Sequence, residues 1–142
     1  MYISVIFKGK QPRILYANKH DIRIFTSGVP NNETTLLGGL QGVVSVDFDW
    51  ETQKVFFTEV ADLNDIRSFD LNKRNQQSDV IIDARTGRPS VIAIDWVTKK
   101  LYWTDDSRTR IELANFDGTH RKLLIDNNLD QPRALALLPQ KG

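Results

Sequence analysis

"SVIAIDWVTKKLYWTDD", residues 90–106, has an earlier counterpart in "VVSVDFDWETQKVFFTEV", residues 43–60. Asp49-Trp50, Thr52 and Lys54 return as Asp95-Trp96, Thr98 and Lys100. Each hairpin then leads into one apolar residue, two aromatics, a threonine and an acid. These are Val55-Phe56-Phe57-Thr58-Glu59 in the first copy and Leu101-Tyr102-Trp103-Thr104-Asp105 in the second. A segment that recurs at a fixed period is one structural unit used repeatedly.

Around this repeat almost nothing reads as helix. Short runs rich in Val, Ile, Leu, Phe and Tyr alternate with polar turn clusters, which is an all-β pattern. The runs predict strands over 13–17, 21–25, 35–37, 43–48, 54–59, 65–70, 79–83, 91–95, 100–105, 110–116, 121–125 and 133–138. "DWETQK" and "DWVTKK" are polar hairpin connections, and Asp117-Gly118 tolerates positive φ. "VFF" and "LYW" are apolar on both faces, so these strands are covered on both sides. Four-stranded antiparallel sheets packed face to face around an axis meet that condition, and a β-propeller fits better than a sandwich.

The strands sort into repeats of four. Residues 43–83 make one complete blade and 90–126 another. Residues 12–38 supply strands two to four of a first blade, because "ILYAN" aligns with "LYWTD". Residues 133–139 read as the inner strand of a following blade. The opening "MYISVIFKGK" reads as a strand or a chain end, with neither the basic start nor the cleavage site of a signal peptide. On this count the chain holds about three blades with its ends out of phase. Two outcomes follow: a fragment of a larger ring, or a homodimer in which each 133–139 segment completes the partner's first blade.

Composition narrows the function classes. The 142 residues are 40% apolar and 26% charged with a formal net charge of +1, so no overall field draws in nucleic acid or acidic membranes. The absence of cysteine removes disulfides, thiolate chemistry and Cys-based zinc sites. No stretch approaches the roughly 20 apolar residues of a membrane span.

At "LYWTD" the sequence resembles the YWTD, or LDL-receptor class B, repeats of the LDL receptor-related proteins. The resemblance runs from Pro12 to Pro139 and is strongest over 94–139, which combines the Asp-Trp hairpin, Tyr102-Trp103-Thr104-Asp105, "RIELANFDGTHRK" and "QPRALALLP". "YANKHDIR" and "LDQPRALAL" are most similar to the branch that contains the Wnt co-receptors and the agrin receptor. The middle repeat departs from the pattern, with "VFFTE" for YWTD. The resemblance implies a six-bladed propeller in the extracellular part of a cell-surface receptor. It would engage protein ligands such as Wnt, agrin or their antagonists, with no cofactor, no nucleic acid and no direct membrane contact by this segment. A matrix adhesion propeller like that of nidogen is the nearest alternative, and a six-bladed metal-dependent hydrolase a more distant one.

The aromatics Phe56, Phe57, Tyr102 and Trp103 read as filling for the seams between blades rather than as a ligand box. The resemblance implies a structural role for Thr58, Glu59, Thr104 and Asp105, the acid bonding backbone near the blade top. A catalytic acid would need a convergent partner, and none stands out. Asp47, Asp49, Asp95, Asp105 and Asp106 could supply a hard metal, but acids that recur with the repeat point to a structural role instead. His20 and His120 fall in turns, without cysteine partners. Asn32-Glu33-Thr34 is an N-glycosylation sequon in a loop. By resemblance, ligand binding falls on the loops that lead into each inner strand or join the second strand to the third. The matching positions are Lys19, Gln41, Gly42, Val60, Ala61, Arg88, Ser90, Ser107 and Arg133. Several positions that are acidic in the Wnt co-receptors are neutral here: Gln41, Gly42, Ser90 and Ser107.

Overall fold

The computed structural model describes residues 2–6, 11–60, 64–73, 77–83, 85, 87–126 and 129–140. Its strands form three sheets of four, each an antiparallel meander. The first contains β1 (Tyr2–Ile6), β2 (Arg13–Ala17), β3 (Asp21–Thr26) and β4 (Glu33–Gly38). The second contains β5 (Val43–Asp49), β6 (Lys54–Glu59), β7 (Asp65–Asp70) and β8 (Asp79–Ile82). The third contains β9 (Pro89–Asp95), β10 (Lys100–Asp105), β11 (Arg110–Asn115) and β12 (Lys122–Ile125). No helix occurs among the described residues.

The Asp-Trp hairpins are built alike. Gln53 and Lys99, the last residues of the two turns, both take positive φ, at 57° and 56°. Asp49 and Asp95 brace their turns by accepting the amide and hydroxyl of Thr52 and Thr98 respectively. The recurring Asp-Trp-x-Thr therefore encodes a turn, with the acid and the threonine supplying its internal bonds.

Sheets meet through their inner strands: β1 and β2 lie against β5, and β5 and β6 against β9. Splayed sheets joined at one edge are blades around an axis. Strand alternation sends neighbouring side chains into different seams. Phe57 joins Leu15, Ala17, Ile22 and Leu37 between the first and second blades. Phe56 joins Ile92, Ile94, Leu101 and Trp103 between the second and third. This explains why both faces of these strands are apolar. Phe56, Phe57 and Trp103 are fully buried. Tyr102 is half-buried, because alternation turns it to the face away from the second blade.

A polar line follows the inner edge of the second seam. The Ser45 hydroxyl and the Asp47 carboxylate accept from the Ile92 and Ile94 amides at 3.2 and 2.9 Å. The Thr58 hydroxyl donates to the Ser90 carbonyl at 2.7 Å. Two blades whose inner strands share no backbone ladder are thus tied by side chains reaching backbone groups.

Two expectations need correction. The first sheet does not lack an inner strand: β1 pairs with β2 from Tyr2 opposite Ala17 to Ile6 opposite Arg13. Residues 133–139 form no strand in this structure. The edge of β2 that a partner's strand would take is occupied within the chain, so the strand-exchange homodimer has no vacancy to fill.

Candidate functional site

In each blade the inner strand begins where the second strand ends. Val43 lies opposite Glu59, and Pro89 opposite Asp105. Antiparallel pairing therefore collects the turns between second and third strands and the segments before the inner strands at one end of the sheets. This end carries the positions singled out for binding.

At the junction of the first two blades, the Lys19 carbonyl accepts the Gly42 and Val43 amides at 2.7 and 3.3 Å. The Gly42 carbonyl accepts the Val60 amide at 2.9 Å, and the Glu59 carboxylate accepts the Gln41 amide at 2.5 Å. The side chains of Lys19 and Gln41 are exposed, and Val60 is half-buried. Ala61 lies outside the described residues.

At the third blade, Asp105 takes the role Glu59 has in the second. Its Oδ1 accepts the amides of Arg88, Ser107 and Arg108 at 3.0–3.1 Å and the Ser107 hydroxyl at 2.7 Å. The Asp106 amide returns a bond to the Arg88 carbonyl at 3.0 Å. Asp105 is fully buried. Burial alone pushes its carboxyl up, but the Ser107 hydroxyl and the Arg88, Arg108 and Ser107 amides outweigh burial and hold it below the usual carboxylate value. Its Oδ2 faces the Arg110 Nε at 3.9 Å. Asp105 is therefore a clamp that holds two loops in register rather than a group presented to a ligand.

The clamp positions a hollow of about 390 Å³ lined by Arg88, Ser90, Val91, Asp106, Gln131 and Arg133. Three of the nine positions singled out for binding meet there: Arg88, Ser90 and Arg133. Ser107 is exposed on the adjoining turn, while Lys19, Gln41 and Val60 sit at the other junction. Gln131 and Val91 are not singled out by the sequence, and Asp106 is singled out there only as a candidate metal ligand. Asp106 follows the repeat's acid directly, and Gln131 precedes Pro132 at the place where Arg88 precedes Pro89, so the repeat register alone could have found both.

The other acids have separate partners. Asp49 is held by Lys99, Asp95 by Thr98, and Asp47 by the Phe48 and Ile94 amides. Among the described residues no three His, Cys, Asp or Glu side chains are grouped to hold a metal ion. The Nδ1 of His20 lies 3.2 Å from the Leu40 carbonyl, and that of His120 contacts Asn115 and Thr119. Asn32 stands just before β4, its side-chain amide donating to the Thr26 carbonyl at 3.3 Å.

Residues 99–139 match the low-density lipoprotein receptor repeat class B. This segment is an LDL-receptor class B, or YWTD, repeat. It is 39% identical to mouse low-density lipoprotein receptor-related protein 5 over 142 residues, which is 99% of this chain and 9% of that protein. The human protein of the same name matches at 39% over 92% of the chain, covering 8% of its own length. Human low-density lipoprotein receptor-related protein 8 matches at 32% over 82% of the chain and 12% of its length. The chain thus spans about a tenth of the curated relatives it matches. Among solved structures, a chain in the crystal structure of a nidogen/laminin complex aligns with a TM-score of 0.74 at 26% identity, over 85% of this chain and 47% of that one. Three sheets of a YWTD propeller are what the class B repeats build here.

Proposed function

We propose that this YWTD segment is a protein-binding module, not an enzyme, from the extracellular part of an LDL receptor-related cell-surface receptor. Its binding face is the end of the sheets that carries Lys19, Gln41, Val60, Arg88, Ser90, Ser107 and Arg133. One observation carries the reading. The loops at this end are fastened through backbone groups and the buried Asp105, and the side chains of Arg88, Ser107 and Arg133 are left exposed. A rigid rim with exposed polar side chains suits recognition of a preformed surface, because little order is lost on binding. The similarity to low-density lipoprotein receptor-related protein 5 supports ligands of the Wnt, agrin or antagonist type.

A second reading, matrix adhesion, is favoured by the alignment with a chain of the nidogen/laminin complex. One experiment addresses both. Immobilised chain is screened by interferometry against Wnt, agrin, their antagonists and laminin, alongside Arg88→Ala, Ser107→Ala and Trp96→Ala. Trp96 is exposed in the hairpin at the opposite end. A ligand lost with Arg88→Ala or Ser107→Ala and kept with Trp96→Ala supports this face. A ligand lost only with Trp96→Ala refutes it. Laminin as the sole ligand selects the adhesion reading.

A further inference from the structure

We infer that the hollow beside the third blade is a receptor for a carboxylate side chain, an Asp or Glu, of a protein ligand. This rests on the reading of that end of the sheets as a protein-binding face and says what chemistry the face selects.

The hollow is lined by two arginines, Arg88 and Arg133, against one acid, Asp106. Among the described residues neither guanidinium has a carboxylate within ion-pair distance. Five other arginines are matched to acids: Arg23 to Asp21, Arg67 to Asp65, Arg85 to Asp83, and Arg110 and Arg121 to Glu112, while Arg13, over the Trp50 ring, and Arg108 share the lack of an ion pair among the described residues but do not line the hollow. Arg133 is steered instead by a neutral group, donating from Nη2 to the Gln131 Oε1 at 2.9 Å. That bond orients the fork and leaves its charge uncompensated. Arg88 is held from behind, its amide on Asp105 and its carbonyl on the Asp106 amide, so its side chain leaves a fixed backbone. The Ser90 carbonyl is fixed by Thr58 of the second blade. Two arginine forks, that of Arg88 on a braced backbone and that of Arg133 oriented by Gln131, fit a planar carboxylate, which accepts paired N–H donors.

Volume and charge select the source. A hollow of about 390 Å³ lies at the small end of ligand pockets. It admits a side chain and its neighbours rather than a polymer. Its excess is a single positive charge, and the whole chain carries a formal charge of only +1. A sulfated polysaccharide needs a row of cations and would meet Asp106. Val91, on the hollow's lining, adds an apolar surface for the methylenes or the neighbour of an acidic residue. An acidic protein loop matches all of these; a glycan matches only the sign.

The test uses the full chain and a defined probe. The blocked tripeptide acetyl-Gly-Glu-Gly-amide and its Gln twin are titrated at constant ionic strength, and the Nε–Hε signals of the arginines and the backbone amides are followed by NMR. A heparin-derived octasaccharide is titrated in parallel. Saturable shifts at the Arg88 and Arg133 Nε–Hε groups and the Ser90 amide are expected with the Glu peptide, with binding about fivefold weaker for the Gln peptide. Arg88→Gln and Arg133→Gln should each abolish the preference for Glu, while Arg85→Gln, outside the hollow, leaves it intact. Each variant is checked for an unchanged amide spectrum elsewhere. Equal binding of both peptides, shifts spread over all arginines, or saturation by the octasaccharide without a response to the Glu peptide overturns the inference. A protein ligand that binds this end yet is indifferent to Arg88→Gln and Arg133→Gln leaves the binding-face reading standing and overturns this one. Ligands confined to the opposite end overturn the binding-face reading itself.

Discussion

Replacing Lys99 with methionine tests whether the two complete repeats are locked to each other by charge. The Lys99 ammonium crosses from the third blade to the second and donates to both Asp49 oxygens, at 3.1 and 3.0 Å, and lies 2.7 Å from Glu51. Asp49 is fully buried, whereas about a third of the Lys99 side chain remains exposed. At an effective dielectric constant of about 20, opposite charges 3 Å apart attract by roughly 5 kcal/mol. Exposure of the ammonium and its own desolvation reduce the net to the range of charged hydrogen bonds, about 1.5–3 kcal/mol. Methionine keeps an unbranched side chain at the positive φ of this position, so backbone strain is unchanged by the swap. Lys99→Met should therefore lower unfolding stability by about 2 kcal/mol, because Asp49 is left with Thr52 alone. Asp49→Asn should cost less, since the amide oxygen still accepts from Thr52. Urea melts of the single and double variants give the coupling, expected at about 1.5 kcal/mol. The pH dependence supplies a second reading. Burial pushes the Asp49 carboxyl up, while Thr52 and Lys99 pull it down further, so its net value lies below the ordinary one. A carboxyl lowered by folding stabilises above its unfolded value, and the gain is lost as pH falls through the folded value. Lys99→Met should flatten that acid limb. A coupling below about 0.5 kcal/mol with an unchanged acid limb would refute the lock.

Trp103→Ala should destabilise by about 3–5 kcal/mol, as expected for a buried aromatic in a seam, whereas Tyr102→Ala should cost about 1 kcal/mol because its face looks away from the second blade; equal losses in denaturant melts would contradict the alternation. Thr58→Val removes the donor to the Ser90 carbonyl and should cost about 1 kcal/mol, with hydrogen exchange rising around residues 89–92; unchanged exchange there would show that the bond does not hold the seam. Expression through a eukaryotic secretory pathway should add a glycosidase-sensitive mass at Asn32 that Thr34→Ala removes; an unmodified Asn32 would withdraw it as an acceptor.

Much of the architecture was legible because the repeat writes it in short-range chemistry. Asp49 and Asp95 with their threonines mark turns, and the paired aromatics mark strands covered on both faces. The strand bounds 54–59 and 100–105 coincide with β6 and β10 for that reason. The first blade was misread because Tyr2–Ile6 is followed by no Asp-Trp hairpin. Its apolar run carries nothing to separate an inner strand from a chain end. Residues 133–138 failed in the opposite way. Their pattern is that of an inner strand, but strand pairing needs a neighbour, and no described segment pairs with them.

By itself, then, the order of residues determined the turns, the strands they join and the period at which blades recur, since these depend on contacts a few positions apart. Which aromatic enters which seam, the reach of Lys99 into Asp49, and the meeting of Arg88 with Arg133 were decided only by packing. Those contacts join residues tens of positions apart, and their energies exist only once the sheets are stacked at a particular angle.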